Sequence, residues 1–163
     1  MLLKTNYDTN MTLREAKDIL NENYVKGLLC PCCKGVVKQY RRSIYGKMAV
    51  ALIKLYQFTN GDPAMFVHIN DLGLTSGGAD FAKFVFWGLI WEQPKKDNLD
   101  KRTSGVWAIT AKGVSFVTRK LRVPKYAHVV MGELTAHSGA SVDIVDVLGK
   151  HFSYAEIMSD FTI

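Results

Sequence analysis

The chain has 163 residues, of which 48% are apolar and 22% charged, with 21 basic against 15 acidic side chains. This is the length of one compact domain, or of one domain with appendages, and the composition excludes a wholly disordered chain. The longest apolar run, residues 84–91, is far shorter than the about 20 residues that cross a bilayer. Because the first residues also lack the pattern of a secretory signal, we expect a cytoplasmic protein with no membrane partner.

The positive charge is concentrated in two segments of the chain. Residues 23–61 carry seven Lys or Arg and no acid, and residues 95–125 carry nine basic against two acidic residues. If the fold brings both segments to one face, that face would bind phosphates and release their counterions. The alternative is two solvated, lysine-rich segments without a ligand.

The first third of the chain predicts a helix, a cysteine turn and a second helix. Residues 12–26 carry an apolar stripe at helical spacing, and Thr12 with Glu15 forms a capping box at its start. The cluster Cys30–Gly35 predicts a turn, and a short extended stretch follows it. A second helix is predicted over residues 42–58, with basic side chains on its polar side.

The middle of the chain predicts two further helical elements and a hairpin. A short element at residues 65–74 and a third helix at residues 79–88 have apolar side chains at helical spacing. Two strands follow at residues 89–92 and 106–110, and the polar stretch between them predicts a long hairpin loop. Three helices followed by such a hairpin are the element order of a winged helix.

The remainder of the chain predicts short elements only. Thr110 caps a helix that extends to Lys120, and residues 123–131 are extended. Two short helices are predicted at residues 141–148 and 153–159.

These elements together predict an α+β fold with a winged-helix-like core. In a winged helix the third helix enters a major groove, and the loop of the hairpin, called the wing, reaches a phosphate backbone. We expect an N-terminal helix and cysteine turn in residues 1–42, the winged-helix-like domain in residues 43–122, and a C-terminal β-hairpin with short helices in residues 123–163.

A basic winged helix predicts a nucleic-acid-binding or regulatory protein, with double-stranded DNA as the expected nucleic acid. No nucleophile triad, phosphate loop or dinucleotide motif is present, so we expect no enzyme activity. Asp80, near the start of the third helix, would repel phosphate and disfavours specific base reading. The residues that we expect to hold phosphates are Lys38, Arg41, Arg42, Lys47, Lys83, Lys95, Lys96, Lys101 and Arg102.

The stretches that flank the predicted wing resemble known proteins. Residues 86–92 (FWGLIWE) and 107–113 (WAITAKG) resemble the G-L-I-E and L-T-x-x-G stretches of many bacterial winged-helix regulators. Over most of the chain, through stretches such as Cys30–Cys33 and Arg122–Tyr126, the sequence is similar to a family of bacteriophage and prophage proteins with no assigned activity. That resemblance implies a phage protein in the host cytoplasm. Its alternative function would be to bind a host or viral protein, for host takeover or counter-defence, through the winged-helix surface.

The cysteines allow three interpretations. Cys30 and Cys33 have the C-x-x-C spacing of a zinc knuckle, in which a tight turn points two thiolates at one metal ion. Alternatively, they are plain thiols beside a turn and the protein has no cofactor. A redox site similar to that of glutaredoxins is the third interpretation, although no βαβ pattern surrounds it. Further zinc ligands would come from Cys32, His68, His128, His137 or His151, or from a second subunit in a homodimer.

Overall fold

A computed structural model of the chain describes residues 2–3, 10–74, 78–95 and 104–159. The fold is mixed α+β with small antiparallel sheets, which confirms the predicted α+β class. The chain divides into two compact units. The first comprises Met1–Arg42 and Tyr126–Ser138, and the second comprises Ser43–Lys125 and Gly139–Ile163. Within the described ranges, no helix is both long and apolar enough to span a membrane.

Six α-helices and eight strands are described, together with 3₁₀ helices at Ile69–Leu72 and Ala82–Trp87. In chain order they are α1 (Leu13–Asn23), β1 (Leu28–Leu29), β2 (Val36–Val37), β3 (Gln39–Ser43), α2 (Gly46–Thr59), β4 (Val67–His68), α3 (Gly78–Phe81), β5 (Ile90–Glu92), β6 (Val106–Ile109), α4 (Ala111–Val117), β7 (Val123–Val130), β8 (Glu133–Val142), α5 (Ile144–Leu148) and α6 (Tyr154–Ser159).

The first unit is built around α1 and a small hairpin. The Thr12 hydroxyl accepts a hydrogen bond from the Glu15 N–H at 3.3 Å, and the Glu15 carboxylate accepts one from the Thr12 N–H at 2.7 Å, so the predicted capping box is confirmed. Strands β1 and β2 are antiparallel, with Leu28 opposite Val37. These two buried side chains form the core of the unit. The side chains that pack with them are Ile19, Leu20, Tyr24, Cys30 and Val130.

A second sheet has the strand order β3-β7-β8. Strands β7 and β8 form a hairpin through Met131 and Gly132, whose φ angles of 50° and 85° are those of a type I′ turn. Every residue from 131 to 141 is exposed. The predicted C-terminal hairpin is therefore present, but its second strand was not located from the sequence, which predicted a helix from residue 141.

In the second unit, α2 packs on a three-stranded antiparallel sheet with the order β4-β6-β5. Val67 lies opposite Trp107, and Ile90 lies opposite Ile109, so β6 is the central strand. Helix α2 also contacts α3, α4 and α5, and seven of its residues are buried. Contacts with the sheet and with three helices explain why so many residues of α2 are apolar. These residues are Met48, Ala49, Ala51, Leu52, Ile53, Leu55 and Thr59.

The structure corrects two predicted helices. The helix predicted over residues 42–58 begins at Gly46, because Gln39–Ser43 pairs with β7 as strand β3. Arg42 therefore lies on a strand. The helical element predicted at residues 65–74 contains strand β4 and one 3₁₀ turn instead.

The predicted third helix is a single turn of α-helix, α3, continued by the 3₁₀ helix Ala82–Trp87. Phe81, Phe84 and Trp87 are buried, and their rings pack edge to face with centroids 6.1 Å and 6.5 Å apart. Their spacing of three residues is the repeat of a 3₁₀ helix, in which residues i and i+3 lie directly above one another. The packing of these rings thus favours the tighter helix.

Candidate nucleic-acid interface

The structure divides the predicted phosphate-binding residues between the two units. Those of the first unit are Lys38, Arg41 and Arg42, and those of the second unit are Lys47, Lys83 and Lys95. The remaining three, Lys96, Lys101 and Arg102, lie outside the described residues. Each unit therefore contains three of the described residues that were predicted to bind phosphate.

In the second unit, hydrogen bonds hold the base of the β5–β6 hairpin. The Gln93 N–H donates to the Val106 carbonyl at 2.9 Å, and the Ser104 N–H donates to the Glu92 carboxylate. On the other edge of β6, the Ile69 N–H donates to the Gly105 carbonyl at 2.8 Å. The loop that was predicted as a wing therefore begins and ends at an ordered base. Lys95 is exposed at the start of this loop.

The start of α3 is less basic than the sequence suggests, because its charges are paired. The Asp80 carboxylate forms an ion pair with Lys83 and accepts a hydrogen bond from the Tyr45 hydroxyl. Burial, together with the hydrogen bond to Asp80, raises the pKa of Tyr45 to about 12. Asp80 thus repels phosphate less than its charge alone predicts, and Lys83 contributes little net attraction.

The Tyr45–Asp80 hydrogen bond predicts a tyrosine that ionises late. The pKa of Tyr45 is raised above its ordinary value of 10.0 to about 12, so its contribution to stability is present below pH 10 and is lost as the pH rises toward 12. In a pH titration followed by phenolate absorbance, we expect Tyr45→Phe to remove the absorbance that develops near pH 12. A loss of absorbance near pH 10 instead would contradict this assignment. The same titration in denaturant, where all tyrosines ionise near pH 10, is the control.

Lys112 is a basic residue near the end of the 3₁₀ helix Ala82–Trp87, and it was not among the predicted site residues. It is exposed in the first turn of α4, and a Cβ atom added to Gly88 would lie 3.8 Å from its Cδ. The Thr110 hydroxyl donates to the Gly88 carbonyl at 2.6 Å and accepts from the Gly113 N–H at 2.9 Å. This cap fixes the start of α4 beside the end of the 3₁₀ helix. The signal in the sequence was Lys112 itself, two residues after the predicted cap.

Other cations of the second basic segment are compensated by acids. Arg119 lies 3.3 Å from the Asp143 carboxylate, and Arg122 lies 2.8 Å from the carboxylate of Asp146. Asp143 and Asp146 therefore compensate part of the charge of these two arginines, whereas Lys112, Lys120 and Lys125 of the same segment are exposed.

In the first unit, arginines stack on tyrosines along β3. The Arg41 guanidinium carbon lies 4.5 Å from the Tyr126 ring centroid, and that of Arg42 lies 5.1 Å from the Tyr40 ring. Both distances are within the range of cation–π contacts. Tyr40 is 46% exposed, so this strand presents basic and aromatic groups of the kind that bind nucleic-acid strands.

The cysteines lie in the turn between β1 and β2. The Cys30 N–H donates to the Gly35 carbonyl at 2.8 Å, and the Lys34 N–H donates to the Cys30 carbonyl at 3.0 Å. Backbone N–H groups of Cys33 and Cys32 donate to the Cys30 thiol and lower its pKa, whereas desolvation and the nearby Cys30 raise the pKa of Cys32. Cys30 is buried, and the other two cysteines are exposed.

A complete metal site is not formed within the part of the chain that the structure describes. No three His, Cys, Asp or Glu side chains in that part are grouped so that they could hold a metal ion. All three cysteines and all four histidines belong to it. Cys30 and Cys33 thus form a pair of thiols with no further ligand among these histidines.

The stretches that resemble bacterial winged-helix regulators contain β5, β6 and the start of α4. Gly88 ends the 3₁₀ helix with a φ of 67°, and Gly113 lies where α4 approaches β5. The local structure therefore explains why both positions are glycine. The resemblances to bacterial winged-helix regulators and to bacteriophage proteins stay predictions. No protein-family model matches the chain, and no curated protein or solved structure matches it significantly.

Proposed function

We propose that the second unit is a winged helix and that the protein binds the phosphate backbone of double-stranded DNA without catalysing a reaction. The observation that carries this proposal is the strand order β4-β6-β5, with α2 before β4 and with α3 and its 3₁₀ continuation between β4 and β5. In a winged helix the same order places the hairpin loop beside the third helix. On the family resemblance, we also propose a phage protein that acts in the host cytoplasm.

The mode of binding that we propose is electrostatic and largely independent of base sequence. Asp80 and Lys83 neutralise each other at the start of α3, so this helix offers no strong base-reading pair. Phosphate contacts would come from the wing, at Lys95, and from Lys112 at the other end of the β5–β6 pair, beside the end of the 3₁₀ helix. Such contacts release counterions, so the affinity should fall steeply as the salt concentration rises.

The wing is tested by removing its charge. We expect Lys95→Ala, Lys96→Ala, Lys101→Ala and Arg102→Ala together to weaken binding to a random duplex, measured by fluorescence anisotropy at two salt concentrations. The slope of log affinity against log salt should become shallower by about 0.9 for each phosphate that the variant no longer neutralises.

The matched control removes four exposed basic residues outside the predicted site. Its substitutions are Arg14→Ala, Lys17→Ala, Lys26→Ala and Lys150→Ala. This variant has the same net charge as the wing variant and should retain most of the affinity. Equal weakening in the two variants would show that net charge alone matters and would remove the wing from the proposal.

A second candidate function, binding a host or viral protein, is favoured by an exposed tryptophan. Trp91 is 45% exposed, and its ring packs edge to face on Phe66 with the centroids 4.7 Å apart. Trp91 lies opposite Ala108, which is fully buried. Tryptophan and phenylalanine are enriched at protein interfaces. If a partner protein is captured from host lysate, Trp91→Ala should abolish that capture while duplex binding persists.

A further inference from the structure

The turn that carries the cysteines places both thiols of a C-x-x-C pair in one tight loop. Strands β1 and β2 pair in register on either side of it, with Leu29 opposite Val36. The two hydrogen bonds between Cys30 and the end of the turn close the chain into a tight loop, and Lys34 takes a left-handed φ of 62°. Left-handed residues are uncommon outside glycine, asparagine and aspartate. The hairpin therefore holds the loop in a specific, closed form.

The two cysteines of the C-x-x-C pair differ in their surroundings within this loop. Cys30 packs in the core of the first unit, and Cys33 is exposed in the loop that follows it. One ligand is thus fixed, and the other faces solvent.

The number of ligands is the decisive point. Structural zinc is held by four ligands in a tetrahedron, usually cysteine sulfur or histidine nitrogen. Every cysteine and histidine is within the described residues, yet no group of three potential ligands exists among them. A zinc ion on Cys30 and Cys33 would therefore need two ligands from another molecule. A second copy of this chain offers an identical pair, and a two-fold axis through the metal would complete four sulfur ligands.

The surrounding charge is compatible with such a centre. Zinc with four thiolates carries two negative charges, and residues 23–42, which contain the turn in the first unit, carry Lys26, Lys34, Lys38, Arg41 and Arg42 and no acid. Lys34 directly follows Cys33, so two copies would place at least two cations next to the centre. We propose that Cys30 and Cys33 bind one zinc ion together with the same two cysteines of a second copy, so that the metal and the dimer form together. The thiol protons are released to solvent on binding.

The experiment measures zinc and mass together on the full-length protein. We expect half a zinc ion per chain by elemental analysis, and the mass of a dimer by light scattering. A strong chelator should remove the metal and yield monomers. Cys33→Ser should lose both zinc and dimer, whereas the matched control Cys32→Ser, which changes an exposed neighbouring thiol, should retain both. Neither readout depends on nucleic-acid binding, because zinc content and mass are measured on the protein alone.

Several outcomes would overturn the proposal. They are a protein purified and incubated with zinc that holds none, one zinc ion per monomer, a dimer that survives removal of the metal, and a Cys32→Ser variant that loses zinc as completely as Cys33→Ser. If Cys33→Ser fails to fold, wild-type protein titrated with Co²⁺ gives the answer instead. The thiolate-to-cobalt absorbance should saturate at half an equivalent, and saturation at one equivalent, or no absorbance, would contradict shared ligation.

Discussion

Replacing Gly113 with alanine is expected to destabilise the second unit by about 3 kcal/mol or more, at the upper end of overpacking effects. A Cβ atom at this position would lie 2.1 Å from the backbone oxygen of Leu89 and 2.8 Å from a side-chain carbon of Ile109. The clash with Leu89 involves backbone, so no side-chain rotation relieves it. Either α4 moves away from β5, or the hydrogen bond from the Thr110 N–H to the Leu89 carbonyl, at 3.0 Å, is broken. Urea unfolding would measure the loss.

A substitution in the same helix provides the control for Gly113→Ala. Ala111 is exposed at the start of α4, and Ala111→Gly should cost at most about 1 kcal/mol, the difference in helix propensity. The prediction is wrong if Gly113→Ala unfolds within about 1 kcal/mol of the wild type, because α4 would then tolerate a side chain against β5.

Asp143 is expected to be the most important single carboxylate for stability, with a loss of about 2 kcal/mol on substitution by alanine. Its side chain accepts a hydrogen bond from the Asp146 N–H at 2.9 Å, and the Asp143 N–H donates to the Asp146 carboxylate at 3.0 Å. This reciprocal cap starts α5. Arg119 and Arg122 lie 3.3 Å and 3.7 Å from the same carboxylate. Removal would therefore leave an uncapped helix and take an acidic partner from both guanidinium groups.

Substitution by asparagine separates the cap from the charge. Asparagine caps helices as well as aspartate does, so Asp143→Asn should lose only the ion pairs. Because the side chains of Arg119 and Arg122 are 52% and 53% exposed, solvent screens these pairs, and the loss should be below about 1 kcal/mol. Urea unfolding of both variants at neutral pH gives the two contributions. Equal losses for alanine and asparagine would contradict a dominant role for the cap.

The same carboxylate predicts a dependence of stability on acid. Burial alone would raise the pKa of Asp143, but the Asp146 N–H and the two arginines together lower it below the ordinary 3.8. Its charge therefore contributes fully above pH 3.8, and the contribution is lost as the pH falls through the depressed value. The difference in unfolding free energy between wild type and Asp143→Asn should shrink toward zero over that range. If this difference stayed constant as the pH falls, the charge of Asp143 would not be its cause.

Elements with local signals were predicted well from the sequence. The capping box of Thr12 and Glu15 and the cap of Thr110 depend on residues three positions apart, so the sequence contains everything that they need. The two strands of the β5–β6 hairpin also followed from their apolar residues and the polar loop between them. The cysteine turn was also predicted from a local signal, because Cys30, Cys33 and the following Gly35 lie within six residues.

Elements that depend on distant partners were predicted less well. The extended stretch was predicted only as far as Tyr40, and the helix was predicted from Arg42, because the sequence does not show that β7, more than 80 residues away, pairs with Gln39–Ser43 as a strand. The 3₁₀ continuation of α3 was a missed local signal, since Phe81, Phe84 and Trp87 repeat every three residues and not every 3.6.

The candidate site was only partly accessible from the sequence for the same reason. The ion pair of Asp80 and Lys83 spans three residues and was a local signal. The hydrogen bond from Tyr45 to Asp80 joins residues 35 apart and required the fold. Which basic residues retain net attraction for phosphate therefore depends on acids that the sequence does not place.

The positions of the three tryptophans give the molecule a spectroscopic consequence. Trp87, Trp91 and Trp107 all belong to the second unit, where Trp87 and Trp107 are 2% and 5% exposed and Trp91 is 45% exposed. Intrinsic tryptophan emission therefore reports unfolding of the second unit and is blind to the first. An aqueous quencher reaches chiefly Trp91, at the base of the β5–β6 hairpin, so protection of this one fluorophore would reveal a ligand on the hairpin without any attached dye.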